Sequence, residues 1–136
     1  MGTMKYNIKN MIFIMLALVG TSTYASDDYV KIVSLSPNND KPLYIGDKVT
    51  IAVEIEYQFT SANIASITMI IQKAESGGRS LANETDAVFK GKGTIKLSKE
   101  ITIPKTKALQ IFTPLSPEGV QSTKIVDSRM FKVVSK

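Results

Sequence analysis

The chain has 136 residues and a formal charge of +5, and it contains no cysteine, no histidine and no tryptophan. Without histidine and cysteine it cannot build a Ser-His-Asp or Cys-His catalytic site, a zinc site of imidazoles or thiolates, or a disulfide, so a packed apolar core must stabilise it. Its 17 lysines and arginines form no basic block and do not alternate with aromatic residues, so nucleic-acid binding is not expected.

The N-terminal segment has the parts of a secretory signal peptide. Lys5 and Lys9 provide a short basic region, and the continuous apolar run Met11–Gly20 follows it. Small residues stand before the bond after Ala25, where a signal peptidase would cleave. We therefore predict a signal peptide over residues 1–25.

Cleavage there would leave residues 26–136, which are enough to bury a core as one domain. Loss of the two lysines of the signal peptide lowers the formal charge from +5 to +3. An uncleaved membrane anchor is the alternative, but the apolar run has about half of the ~20 residues that a membrane-spanning helix needs. A lipid anchor on an N-terminal cysteine is excluded because the chain has no cysteine. The expected location is the periplasm or the outside of the cell, with no stable membrane span after cleavage.

Alternation of apolar and polar residues predicts strands throughout the mature chain. Tyr29–Leu35 alternates loosely and ends in a turn-forming cluster, SPNNDKP. Lys48–Phe59 alternates strictly, with apolar residues at the odd-numbered positions and polar or small residues at the even-numbered ones. Because a helix would spread those apolar residues around its circumference, the segment is predicted to be a strand with one buried and one wet face.

The second half of the chain continues the pattern with shorter strands and two polar loops. The longest loop is predicted over residues 73–86, which contain two adjacent glycines and little apolar sequence, with a short edge strand near Leu81. A second polar loop is predicted over residues 116–123. The predicted strands are Ile64–Gln72 after a turn at residues 60–63, a short strand at Val88 and Phe89 before a Gly91–Gly93 turn, Ile95–Ile103 ended by Pro104, Ala108–Leu115, and Lys124–Val134.

About seven short strands separated by turn signals are typical of an antiparallel β-sandwich. With its leading strand into "LSP", the "LYIGDKVTIAVEIEY" entry into a long second strand and the proline-ended "GTIKLSKEITIP", the chain resembles the immunoglobulin-like and fibronectin type III-like modules of exported bacterial proteins. The resemblance implies an antiparallel immunoglobulin-like β-sandwich and a tendency toward binding roles. The chain departs from antibody domains because it lacks their cysteine pair and their tryptophan.

Glu54 and Glu56 form a carboxylate pair on one strand face, about 7 Å apart. Acid–base pairs of glycosidases have a comparable separation, about 5–9.5 Å, but they flank a substrate in a cleft. An open strand face offers no cleft, so we interpret both as hydrated glutamates that Lys96 or Lys99 of a neighbouring strand could face. A Ser-Lys dyad is formally possible, but no spacing singles out a pair. The chain is therefore not expected to be an enzyme or to hold a cofactor.

Oxygen ligands that could bind calcium occur at Asp27, Asp28, Asn38, Asn39, Asp40 and Asp127. Their spacing does not match an EF-hand loop, and the Asn38–Asp40 cluster is better interpreted as a turn. Gly91 and Gly93 are not followed by a helix, so they are predicted to permit a turn or bulge and not to bind phosphate. No metal site is therefore predicted, although calcium or a small ligand at the loop ends stays open.

With catalysis, metal binding and phosphate binding not expected, the remaining function is recognition of a partner through the protein surface. Loops at the ends of a sandwich and unpaired backbone groups at its sheet edges can both bind a partner. The leading hypothesis is an exported, non-catalytic module that binds another protein through loops or a free sheet edge, with candidate contact residues Arg79, Asn83, Glu84, Glu118 and Gln121. The alternatives are a structural or accessory subunit of a cell-envelope or secreted assembly, and a carrier of a small ligand or ion. The sequence does not indicate the oligomeric state.

Overall fold

The computed structural model describes residues 2–3, 5–6, 28–75, 80–120 and 125–136. Within these ranges all regular structure is β-strand, and no helix long and apolar enough to cross a bilayer occurs. The strands are β1 (Gly2–Thr3), β2 (Lys5–Tyr6), β3 (Tyr29–Ser36), β4 (Leu43–Tyr44), β5 (Lys48–Lys73), β6 (Ser80–Thr102), β7 (Ala108–Phe112), β8 (Leu115–Pro117) and β9 (Ser128–Val134). Most of the predicted signal peptide, including its cleavage site, lies outside the described residues and stays a prediction.

The all-β class predicted from the sequence is confirmed. The short strands β1 and β2 pair with each other, and the other seven strands belong to one curled, mixed sheet. β4 and β9 pair in parallel, whereas the remaining pairs of this sheet are antiparallel. The expectation of purely antiparallel pairing was therefore wrong at β4, whose two residues are too few to show alternation in the sequence.

β5 and β6 form a long hairpin that doubles back on itself. The two strands pair with each other along almost their whole length. Glu84 and Lys99 of β6 would lie about 50 Å apart in a straight strand, yet their side chains approach to 3.5 Å. The hairpin therefore has a first half, in which residues 48–59 of β5 pair with β6, and a second half, which begins at Ile64 of β5.

The bend between the two halves lies at a bulge. Residues 60–63 of β5 oppose the single residue Lys90 of β6, and an insertion of this kind bends a strand. Gly91 follows with a φ of +121°, a conformation that residues with side chains rarely adopt. The carboxylate of Asp28 accepts a hydrogen bond from the backbone N–H of Thr60 at 2.9 Å and so holds the bulge in place.

Both halves of the hairpin face one apolar core. β3 pairs with the first half of β5, while β8 and β7 pair with its second half and β9 pairs with β7. Alternate residues of these strands point inward, and the side chains at most 2% exposed include Ile51, Val53, Ile55, Ile67, Met69, Ile71, Leu109, Ile111 and Phe131. Each such side chain contributes about 1.5–3 kcal/mol by leaving water, which explains how the domain folds without disulfides.

The predicted strand boundaries were wrong along the hairpin. Residues 60–63 form a bulge inside β5 and not a turn. The predicted edge strand near Leu81 is confirmed, but it extends through residues 80–86, which were predicted to be mostly loop. The predicted turn at Gly91–Gly93 also lies within β6, although the alternative of a bulge there is confirmed. A Cβ on Gly93 would lie 2.6 Å from the hydroxyl oxygen of Tyr57, so this glycine permits close packing against a ring rather than a reversal of the chain.

Two later boundaries also differ from the prediction. The predicted strand Ala108–Leu115 is divided into β7 and β8 at Pro114, because proline has no N–H to donate to a ladder. Ser116 and Pro117, which were predicted to begin a loop, belong to β8. The last strand begins at Ser128, four residues later than predicted.

Candidate interaction surface

The carboxylate pair of β5 lies on the outer face of the first half, as predicted. Glu54 is the register partner of Lys96, and it borders an open depression of about 290 Å³. Glu56 accepts a hydrogen bond from the hydroxyl of Tyr29 at 2.5 Å, and this contact is the main cause that raises the pKa of Tyr29. Both glutamates are half-buried on an open sheet face, which is not the arrangement of an acid–base pair that flanks a substrate.

Asp127 fastens the start of β9 to β3. Its carboxylate accepts hydrogen bonds from the backbone N–H groups of Ile32 and Ser128, each at 2.8 Å, and from Nη1 of Arg129 at 2.9 Å. Arg129 also donates from Nη2 to the carbonyl oxygen of Ile32 at 3.1 Å. Burial acts to raise the pKa of Asp127, but the two N–H donors and the guanidinium outweigh it and hold the pKa below its ordinary value. Asp127 therefore serves a structural contact.

The other oxygen ligands considered for calcium make hydrogen bonds within the protein where the structure describes them. Asn39 donates a hydrogen bond to the carbonyl of Met130 at 3.1 Å, and Oδ1 of Asn38 accepts the N–H of Asp40 at 3.2 Å, which is a turn contact as predicted. Asp27 lies outside the described residues. Within the described ranges, no three acidic side chains are grouped closely enough to hold a metal ion.

The outer edge of β6, which we call the guarded edge, carries charged side chains. Among the described strands, β6 pairs only with β5. The ion pair of Lys99 and Glu84 joins the two halves of the hairpin, and both residues lie on the core-facing side of the β6 alternation. The carboxylate of Asp86 accepts the backbone N–H of Ala87 at 2.9 Å. Because inward-pointing charges at a sheet edge disfavour the addition of another strand, this free edge is a poor place for a partner to bind.

The central part of the outer face of the second half has no ionisable side chain, and the charged residues Glu118 after β8 and Lys132 of β9 lie at its margins. Because Ala65, Ile67 and Met69 are buried, the even-numbered residues of β5 point outward here. The neighbouring strands add their own outward residues, which are in register with them except at Leu81, the extra residue of a bulge where Gln72 pairs with Ser80. This surface, which we call the uncharged face, comprises Ile64, Ser66, Thr68, Ile70 and Gln72 of β5, Leu81, Asn83, Thr85, Ala87 and Phe89 of β6, Gln110 and Phe112 of β7, Ser116 of β8, and Ser128 and Met130 of β9.

The outer face of the first half has the opposite character. This surface, the charged face, presents Lys31, Glu54, Glu56, Lys92, Lys96 and Glu100 among small polar residues. Antiparallel sheets that face water on one side carry polar and charged residues there, as this face does. Depletion of charge is instead a feature of the centres of protein interfaces. The uncharged face therefore has the composition of a contact surface.

Phe89 is the most prominent side chain of the uncharged face. It is 74% exposed, the largest value among the large apolar side chains of the described residues. It pairs with Ile64, which is 40% exposed. Beside them, the small residues Ala87, Ser66 and Ser116 lie in one row across three strands and border a shallow depression of about 240 Å³. An exposed aromatic residue next to a hollow of small residues can anchor an interface.

The three predicted contact residues that the structure describes do not form one site. Asn83 lies on the uncharged face, and Glu118 lies at its margin, where it borders the depression of small residues. Glu84 belongs to the guarded edge of β6. Arg79 and Gln121 lie outside the described residues, so their roles stay predictions.

The uncharged face itself was not identified from the sequence. A signal for it exists, because the even-numbered residues from Ile64 to Gln72 and the odd-numbered residues from Leu81 to Phe89 include no charged residue. The second row was hidden because residues 73–86 were predicted to form a loop with only a short edge strand near Leu81. Without β6 as one continuous strand paired with β5, the two rows could not be recognised as neighbours.

A larger depression, of about 460 Å³, lies near the segment that precedes β7. There the hydroxyl of Thr106 donates a hydrogen bond to the carboxylate of Glu75, and this contact is the main cause that lowers the pKa of Glu75. The Thr106 hydroxyl, which is largely buried, also lies 3.1 Å from the carbonyl oxygen of Ala108. These contacts connect the end of β5 with the start of β7, so we assign them a structural role.

Comparison with known proteins identifies no family for this chain. No protein-family model matches it, and no curated protein matches it. Among solved structures, it is similar to the crystal structure of a β-glucosidase from Listeria innocua in complex with glucose, with a TM-score of 0.47 and 18% sequence identity. The similarity covers 79% of this chain and 16% of that chain.

Proposed function

We propose that the chain is an exported, non-catalytic module of immunoglobulin-like β-sandwich architecture that binds another protein through the uncharged face. The observation that carries the proposal is the contrast between the two outer faces of one sheet. The charged face has ionised side chains on each of its strands, whereas the fifteen residues of the uncharged face have none and charged residues, Glu118 and Lys132, lie only at its margins. A sheet surface that only met water would have no reason to exclude charge.

Phe89 and Ile64 would supply most of the affinity. Removing one large apolar side chain from water contributes about 1.5–3 kcal/mol, and these two lie side by side near the hollow of small residues. A partner side chain could enter the hollow beside small uncharged residues, with Glu118 as the one charged residue at its border. The binding energy would therefore come from apolar burial, with little cost for desolvating ions.

The other parts of the proposal have separate support. The two halves of the hairpin pack on one core, which favours a sandwich-like architecture. Export is supported by the N-terminal segment with its basic and apolar regions. A non-catalytic role is supported by the absence of histidine and cysteine from the sequence and by the structural contacts of Glu56, Glu75 and Asp127.

Site-specific photocrosslinking tests the proposal in the organism that makes the protein. A benzoylphenylalanine is placed at Phe89 of the full chain, and in a matched variant at Thr94, which is an exposed residue of the same strand on the first half. We expect light to produce a discrete protein adduct from position 89 and none from position 94. Mass spectrometry of the adduct identifies the partner.

Two outcomes of the crosslinking would contradict the proposal. Equal labelling from positions 89 and 94 would show that contact is nonspecific. No adduct from position 89, with the protein present and folded, would show that the uncharged face meets only water.

A further inference from the structure

We propose that the partner of the uncharged face is a second copy of this chain, related by a two-fold axis that lies in the plane of the contact, parallel to the rows of residues. The inference rests on the function proposed above and names its partner. It follows from the order of large and small side chains on the face, from the few charges at its margin, and from its size.

The uncharged face consists of five rows that run across the strands. Hydrogen bonds and register place Glu118 in the Ile64 row and Pro114 in the Thr68 row. In order, the rows are Phe89–Ile64–Glu118, Ala87–Ser66–Ser116, Thr85–Thr68–Pro114, Asn83–Ile70–Phe112–Ser128, and Ser80–Gln72–Gln110–Met130. Leu81 is the extra residue at a bulge beside Ser80 in the fifth row, and Glu118 and Pro114 lie at the margin of the uncharged face. The second row has only small side chains, whereas the fourth row has the large side chains of Ile70 and Phe112 at its centre, and the two rows are at equal distances from the Thr68 row.

A two-fold axis along the Thr68 row would exchange the second and fourth rows. Ile70 of one copy would then pack on Ser66 of the other, and Phe112 would pack on Ser116, with both contacts repeated by symmetry. The large residues of each copy would fill the hollow of the other. Such a self-complementary contact is the form that a two-fold interface takes.

The same axis would exchange the two outer rows. Phe89 would meet the bulge formed by Ser80 and Leu81 of the second copy, where Leu81 is apolar and 42% exposed. Glu118, the charged residue at the margin, would meet Gln110, whose side-chain amide can donate a hydrogen bond to a carboxylate. No like charges would face each other within the five rows, whereas stacking two charged faces would place many charges in the contact.

The size of the uncharged face favours another sheet, rather than a short peptide, as its binding partner. Five rows about 6.7 Å apart and four strands about 4.8 Å apart give a projected area of roughly 600 Å². A standard interface buries about 800 Å² of accessible surface on each partner, which a rough surface of this projected size can supply. A single extended peptide would cover only part of the face, whereas a second copy would cover all of it.

Sedimentation velocity on the purified full chain tests this proposal. We expect the wild-type protein to sediment as a species of twice the chain mass. The variant Ser66→Lys places an unpaired ammonium group at the contact with Ile70, so we expect its dissociation constant to rise by about tenfold or more. The matched control is Ala52→Lys, which changes a small outward residue of the same strand on the charged face and should leave dimerisation unchanged.

Circular dichroism shows whether each variant is folded, and Ala87→Lys on the exposed strand β6 replaces Ser66→Lys if the latter does not fold. A wild-type chain that stays monomeric at about 1 mM would overturn the second-copy proposal, because even an association of about −4 kcal/mol would be visible there. Loss of the dimer in Ala52→Lys but not in Ser66→Lys would overturn it as well. If the chain is monomeric but position 89 crosslinks to a different protein, the proposed binding function stands and this partner is wrong. If the chain is monomeric and no adduct forms from position 89, the proposed binding function and the second-copy partner are both wrong.

Discussion

Asp127 and Arg129 act on β3 as a neighbouring strand would. The carboxylate of Asp127 accepts the backbone N–H of Ile32, and the guanidinium of Arg129 donates to the carbonyl oxygen of Ile32. Side chains therefore satisfy both backbone groups of Ile32. The alternation of the sequence could not show this contact, because it joins residues that are 95 and 97 positions apart. It also explains why Asp127, which was considered as a calcium ligand, is engaged within the protein.

We expect Asp127→Ala to lower the free energy of unfolding by about 1.5–3 kcal/mol at pH 7, since hydrogen bonds to a charged group are lost. The pH dependence has a definite sign. Because the folded pKa lies below the ordinary value, the contribution of Asp127 is complete above the unfolded pKa of about 3.9 and is lost as the pH falls from there toward the folded pKa.

Urea denaturation between pH 7 and pH 2 measures both effects. Asp127→Asn should show a shallower loss of stability below about pH 4 than the wild-type protein. Asp40→Asn, a change in an exposed turn, is the control and should keep the wild-type slope. An unchanged slope in Asp127→Asn would show that the contact contributes nothing to acid sensitivity.

The β5–β6 hairpin shows which strands the sequence predicts and which it does not. Lys48–Phe59 was predicted correctly because its alternation is strict and its inward residues are large. Residues 80–93 contain glycines and polar residues that resemble loops, yet they form a strand because β5 offers a partner for their backbone. Pairing between distant segments overrode the local signal, which is the usual reason that an edge strand is missed.

The guarded edge of β6 leads to a prediction about this hairpin. We expect the combined change Lys99→Val and Glu84→Val to produce assemblies larger than those of the wild-type protein, because it removes the inward charges that disfavour strand addition. Light scattering after size-exclusion chromatography measures the mass. Asp40→Val combined with Lys41→Val makes the same change of charge in an exposed segment after β3 and should leave the mass unchanged. Equal masses for all three proteins would contradict the prediction, because they would show that the edge does not add another strand even without these charges.

Across the whole molecule, one curled sheet presents two outer faces of different character. The sequence alone predicted the all-β class and the outward direction of the Glu54 and Glu56 row, since both follow from alternation within a segment. It could not predict the uncharged face, because that surface takes its residues from five strands whose neighbours are set by the bend at residues 60–63. The bend depends on a bulge and on Asp28, which the alternation does not reveal.

Solvent paramagnetic relaxation of the amide protons tests most directly whether the uncharged face is covered in solution. With a soluble gadolinium chelate added to the wild-type chain, we predict weaker relaxation at Ser66, Ala87 and Phe112 than at Ala52 and Lys96. The difference should disappear in Ser66→Lys. Relaxation at Ser66, Ala87 and Phe112 as strong as that on the charged face would contradict the account.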